Sequence, residues 1–146
     1  MDDHIKELFK HHNDVYAKRV DVLIAIAVAC VGFSVTRSTG LSPSWPMLFL
    51  AIAVLAWGAS VYAGIRNREH VLSTIRLNVD FLLAKAGAEP LFGRDPMRIA
   101  IGAVAIWSLL ELDNLKVQAC WKWQCRLLFI GALLFLIWHV TDMFAR

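Results

Sequence analysis

Charge is scarce in this chain. Asp, Glu, Lys and Arg make up 18% of its 146 residues, against roughly 25% in an average soluble domain. That scarcity excludes a disordered tail, whose composition is polar and charged. Apolar residues reach 58%, above the roughly 45–50% of soluble domains, and argue against an ordinary soluble enzyme. Cysteine is also sparse. Cys30, Cys120 and Cys125 are too few and too irregular for a disulfide-stapled secreted module. Cys30 sits in an apolar run as a small packing residue. Cys120 and Cys125 can pair only if they face an oxidising compartment.

Catalytic and cofactor signatures are missing as well. The sequence has no Cys-x-x-Cys, no His-Glu-x-x-His, no Walker loop, no Gly-x-Gly-x-x-Gly and no Gly-x-Ser-x-Gly. His4, His11, His12 and His70 lack metal-ligand spacing, and the adjacent His11 and His12 point to different sides of a helix. Ser60 and Ser108 fall in apolar blocks without a His or acid in a catalytic pattern. No enzyme activity, metal or cofactor is therefore expected. Net charge is +3, but no helix carries a dense Lys/Arg stripe, so nucleic acid is not an expected partner. The opening Met1-Asp2-Asp3-His4 is acidic and polar, and no small-residue cleavage pattern follows the first apolar block. The first span is expected to be retained.

What is present is a series of long apolar blocks. They predict an all-α integral membrane bundle within one membrane domain, residues 1–146. Residues 2–19 form an amphipathic helix with Ile5, Leu8, Phe9, His12, Val15 and Tyr16 at helical spacing and Asp2 or Asp3 as its cap. Residues 20–36 make a first span rich in small residues. Gly40, Pro43 and Pro46 turn the chain, and 47–65 make a second span. Residues 68–86 are amphipathic, with Val71, Leu72, Ile75, Val79, Leu82, Leu83 and Ala86 on one face. Gly87 ends this helix, and Pro90, Gly93 and Pro96 form a loop. Residues 98–112 are a third span or a re-entrant segment. Their charge-free core, Ile99 to Leu110, covers only about 18 Å of a hydrocarbon core of roughly 30 Å. Trp121 and Trp123 mark an interface within 113–124, and 125–144 are the last span.

Positive charge sets orientation. Four spans divide the Lys and Arg residues 11 to 4 across the membrane, and three spans divide them 13 to 2. Both place the N-terminus and the 68–86 helix in the cytoplasm, which implies a multi-pass protein of the inner (cytoplasmic) membrane. They differ on the side of the C-terminus. The apolarity of 99–110 favours four spans, the expectation adopted, with three as the alternative.

Ionisable residues in or near spans are the first candidates for function. Asp21, near the start of the first span, either pairs with Lys18 one turn away or contributes to a ring of carboxylates at a pore mouth, which favours cations. His139 and Asp142 share a face of the last span and are candidates for a gate or proton relay. Glu111 and Asp113 end the doubtful third block, as interface markers or vestibule residues. Small residues recur at four-residue spacing, Ala25 and Ala29 in the first span and Ala56, Ser60 and Gly64 in the second, and allow close helix packing. Four short helices bury little surface alone, so a homo-oligomer is expected. Arg66, Arg68 and Arg76, with Arg94, are the candidates for meeting an anionic ligand or lipid headgroup. Their simpler role is to hold the cytoplasmic side of the membrane.

The second span leaves through Ile65-Arg66-Asn67-Arg68-Glu69-His70 into a helix carrying Ile75-Arg76-Leu77-Asn78-Val79-Asp80-Phe81-Leu82-Leu83. This order of parts, over roughly residues 1–92, resembles the small two-span SLATT-type effectors of bacterial antiphage defence. Asp80 only approximates the family's acidic residue after the arginine, and everything beyond residue 96 departs from the two-span pattern. The resemblance implies an oligomeric effector that opens a pore or disrupts the bilayer on a signal, often a nucleotide second messenger sensed by the effector or a signalling partner protein. The alternatives are an accessory membrane subunit that anchors a partner complex, and a small proton-coupled transporter using His139 and Asp142.

Overall fold

The computed structural model describes residues 3–40, 44–86 and 95–145, without the side chains of residues 3–6, 8–10, 12, 13 and 145. Asp2 and the capping side chain of Asp3 lie outside the described residues. So do Pro43, Gly87, Pro90, Gly93 and Arg94, and the side chains of His4, Ile5, Leu8, Phe9 and His12.

Among the described residues the chain is all helix with no strand. Three helices carry it: α1 (Asp3–Ser38), α2 (Met47–Lys85) and α3 (Pro96–Ala145). All three are long and apolar enough to cross a membrane. The six segments read from composition therefore merge in pairs. Residues 2–19 and 20–36 fall in α1, 47–65 and 68–86 in α2, and 98–112 and 125–144 in α3. A fourth span would need the chain to reverse between residues 112 and 125. Instead that stretch is helical throughout, because it contains no Pro or Gly to break the turn. Cys120 and Cys125 lie on that same helix, five residues apart and on different sides of it, and all three cysteines are free thiols.

Local chemistry sets the helix ends. Gly40 adopts φ +83° in the turn after α1. The entry to α2 is tightened by amide-to-carbonyl bonds from Met47 to Ser44 (3.0 Å), Leu48 to Trp45 (3.2 Å) and Phe49 to Pro46 (3.0 Å). Pro96, expected in a loop, opens α3. Its missing N–H costs nothing at a first helical position, and the Asp95 carboxylate just before it accepts from the Met97 amide at 2.9 Å.

Two compact units divide the chain: Met1–Ile65 with Trp121–Arg146, and Arg66–Cys120. In the first unit three helical segments pack around Ala27, Ala53 and Trp57. Buried positions on α2 run Leu50, Ala53, Trp57, Ser60, Gly64, alternating by three and four. On α3, Gln124, Gly131 and Trp138 recur every seven residues, as do Val20, Ala27 and Ser34 on α1. That 3.5-residue period is the mark of left-handed helix packing. Trp57 donates its indole N–H to the Leu128 carbonyl at 3.2 Å, and Ser60 donates to the Gln124 carbonyl at 2.9 Å. These bonds fix α2 antiparallel to α3. Aromatic pairs Tyr16–Trp121 at 5.7 Å and Phe33–Phe135 at 5.9 Å join α1 to α3.

The second unit is an antiparallel pair formed by residues 66–85 of α2 and 96–120 of α3. Asn67 donates to the Val117 carbonyl at 2.8 Å, Phe81 meets Trp107 at 5.5 Å, and Ala84 and Leu110 are buried. The apolar residues expected on one face of 68–86 do share a side, and it is the outer one. Val71 is half-buried and Leu72, Ile75, Val79, Leu82, Leu83 and Ala86 are exposed, while half-buried Leu77 and Phe81 and buried Ala84 lie on the opposite side.

Close approach in the first unit depends on two glycines. A Cβ on Gly131 would lie 2.5 Å from the Trp57 indole nitrogen, and one on Gly64 would lie 2.6 Å from the Gln124 amide nitrogen. Gly131→Ala must displace the Trp57 ring and its bond to Leu128. It is expected to destabilise the bundle by about 1–3 kcal/mol. A Cβ on Gly58 meets nothing within 4 Å, and Gly58→Ala is expected to be neutral or stabilising by up to about 1 kcal/mol. Thermal unfolding of the two variants in the same detergent checks the contrast.

Candidate functional site

The most developed polar cluster is in the second unit. Asp113 is 9% exposed, on the α3 face that meets α2. Ser73 donates its hydroxyl to this carboxylate at 2.5 Å, Lys116 donates at 3.2 Å from the next turn, and the His70 ring lies 3.9 Å away. The cluster forms because His70 and Ser73 are one turn apart on α2, while Asp113 and Lys116 are one turn apart on α3. The Ser73 hydrogen bond holds the Asp113 carboxyl below its ordinary value of 3.8, with burial opposing and Lys116 and His70 assisting. The arrangement ties two helices together by a charge.

In the first unit the polar groups are buried among apolar side chains. Ser34, Ser60 and Gln124 are at most 1% exposed. Ser34 donates back to the Cys30 carbonyl at 2.8 Å, a common way for serine to be satisfied inside a helix. The Gln124 amide has neither its nitrogen nor its oxygen hydrogen-bonded, and the Trp138 indole nitrogen is likewise unpartnered. An unmet buried amide costs about 1–3 kcal/mol.

The residues selected from sequence fall into several groups. Ala56, Ser60 and Gly64 face the interior of the first unit, whereas Ala25 and Ala29 are exposed. Asp21 and His139 are exposed and Asp142 is half-buried. Arg66, Arg68 and Arg76 are all exposed on α2. Arg66 pairs with Glu69 at 2.6 Å. Two residues apart, Arg66 and Arg68 point to roughly opposite sides of the helix, so these arginines do not form one face. Glu111 is exposed, unlike Asp113 two residues on. Among the described residues no three His, Cys, Asp or Glu gather closely enough to hold a metal ion.

The sequence does not reveal the buried Gln124 and Asn67, nor the joining of His70 and Ser73 to Asp113. The seven-residue recurrence of Leu110, Val117, Gln124, Gly131 and Trp138 is the signal that places Gln124 on the packed face. No family model, curated protein or solved structure matches this chain.

The Asp113 cluster predicts a signed pH effect. A depressed carboxyl pKa contributes stability above the ordinary value of 3.8, and that stability is lost as pH falls through the folded value. Ser73→Ala should therefore lower stability at pH 7 by about 1 kcal/mol and have less effect at acid pH below the folded value. Asp113→Asn should remove this part of the pH dependence. Unfolding midpoints across an acid series measure both.

Proposed function

We propose that this chain is an oligomeric three-span membrane protein that forms a pore or disrupts the bilayer, with a cytoplasmic helical pair as its regulatory part. The observation that carries the three-span architecture is the mismatch between helix length and membrane thickness. At 1.5 Å per residue, α2 with 39 residues and α3 with 50 are about 58 and 75 Å long, against a hydrocarbon core of about 30 Å. Each helix crosses once and has residues to spare. The spans are then 20–38, 47–65 and 125–144. The second unit lies in the cytoplasm, where Arg66, Arg68, Arg76 and Lys85 satisfy the positive-inside rule. The N-terminus is cytoplasmic in the inner membrane, and Lys and Arg divide 13 to 2. The C-terminus lies on the far side.

Two features support an oligomer. The interior of the first unit is filled by Trp57, Phe135 and Trp138, so a conducting path must run between copies. The second unit carries apolar stripes on both helices, Leu72, Val79 and Leu82 on α2 and Ile101, Val104, Leu112 and Leu115 on α3, each at least 50% exposed. A pair of helices in water cannot cover both stripes by itself, and further copies cover them. Asp21 then contributes one carboxylate per copy near the cytoplasmic mouth. The likeness of residues 1–92 to SLATT-type defence effectors supports an antiviral role, with a nucleotide second messenger or signalling partner acting on the cytoplasmic pair.

Purified protein in liposomes should release small ions from vesicles, as an oligomer of defined size in the matching detergent. Asp21→Asn should lower the preference for cations over anions. Vesicles that stay tight around an incorporated oligomer would instead favour an anchoring subunit.

A further inference from the structure

The groove between α1 and α3 in the first unit contains two clefts of different character. The first, about 440 Å³, is lined by Val15, Val22 and Leu23 of α1, by the apolar stems of Lys18 and Arg19, and by Trp121 and Cys125 of α3. The second, about 490 Å³, is lined by apolar residues including Ile26, Phe33, Phe135 and Leu136 and has no charged lining residue. A generic tail-filled crevice describes the second. The first combines an apolar trough with two exposed cations at one level.

We propose that the first cleft is a binding site for an anionic phospholipid of the cytoplasmic leaflet. Its phosphate sits at Arg19 and Lys18, and one acyl chain lies against Val22, Leu23 and Cys125. The proposal rests on the membrane reading above and adds the ligand class and its site. The dimensions agree. Below Arg19 the trough continues past Val22 to Leu23, about 6 Å of rise, which keeps it within the roughly 15 Å of one leaflet's hydrocarbon. Charge agrees too. Arg19 has only Val15, Tyr16, Val22 and Leu23 as neighbours one turn away on its own helix, so no acid on α1 competes for it. Lys18 has Asp14 and Asp21 within a turn on either side, which makes Arg19 the stronger anchor. Lys122 and Arg126, next to the lining residues of α3, add positive charge at the same level. Tyr16 and Trp121, paired at 5.7 Å, set the headgroup end of the trough with amphipathic rings suited to that depth.

Cys125 reports occupancy directly, since a chain in the trough covers its thiol. Full-length protein retaining only Cys125 (Cys30→Ala, Cys120→Ala) is placed in nanodiscs of phosphatidylcholine, with or without phosphatidylglycerol, and the rate of maleimide alkylation is measured. Phosphatidylglycerol should slow labelling about tenfold, as for a site about nine-tenths occupied. Lys18→Gln with Arg19→Gln should restore the rate seen without it. A protein retaining only Cys120, which does not line the cleft, should label at equal rates in both lipids. Equal rates at Cys125 in the two lipids would overturn the proposal. So would a slowing that survives loss of both cations, or one shared by Cys120, since either is a general effect of surface charge. Protein that does not enter nanodiscs at all would overturn the membrane reading itself.

Discussion

The seating of Trp57 on Gly131 is the contact on which the first unit depends. Trp57 is the largest side chain of the buried cluster. Its ring reaches the α3 backbone only because residue 131 has no Cβ. From that position it donates to Leu128, stacks at a tilt on Phe135 at 5.9 Å and closes against Ala27 of α1 and Ala53 of its own helix. In a lipid environment apolar side chains gain little by leaving the solvent, so association rests on such close packing and on the hydrogen bonds it brings. Small residues elsewhere in the seam, Gly64 and Ser60 above all, extend the same logic by letting α2 and α3 approach.

The polar content of the two units differs in kind. The second unit pairs its helices with satisfied groups, Asn67 to Val117 and Ser73 to Asp113. The first unit buries Gln124 and the Trp138 nitrogen without partners. A buried amide with unmet bonds lowers the cost of rearranging the bundle around it.

Much of this was legible in the sequence. The apolar blocks all fall within helices, though they count four spans where the chain has three long helices, and the spacing of Ala56, Ser60 and Gly64 marks packing residues of the second span. Helix continuity was not legible. The stretch 113–124 is polar and rich in Trp, which reads as an interface between spans. It has no residue that breaks a helix, and that lack proves the stronger signal. Composition places Pro96 in a loop, while Asp95 before it makes a capped helix start equally natural. The face from Val71 to Ala86 is legible as one face, but hydropathy does not reveal that it is the exposed side and that Leu77, Phe81 and Ala84 are the less exposed one. The Asp113 cluster was out of reach, since its members on α2 and α3 are some 40 residues apart and meet only through the antiparallel register.

The three-span account places Ser108, exposed on α3, in the cytoplasm, whereas a four-span chain would bury it in hydrocarbon. The most direct measurement replaces the native cysteines, introduces Ser108→Cys, and applies a membrane-impermeant maleimide to inverted inner-membrane vesicles. Rapid labelling is the predicted result. A thiol that reacts only after the membrane is dissolved would contradict the account.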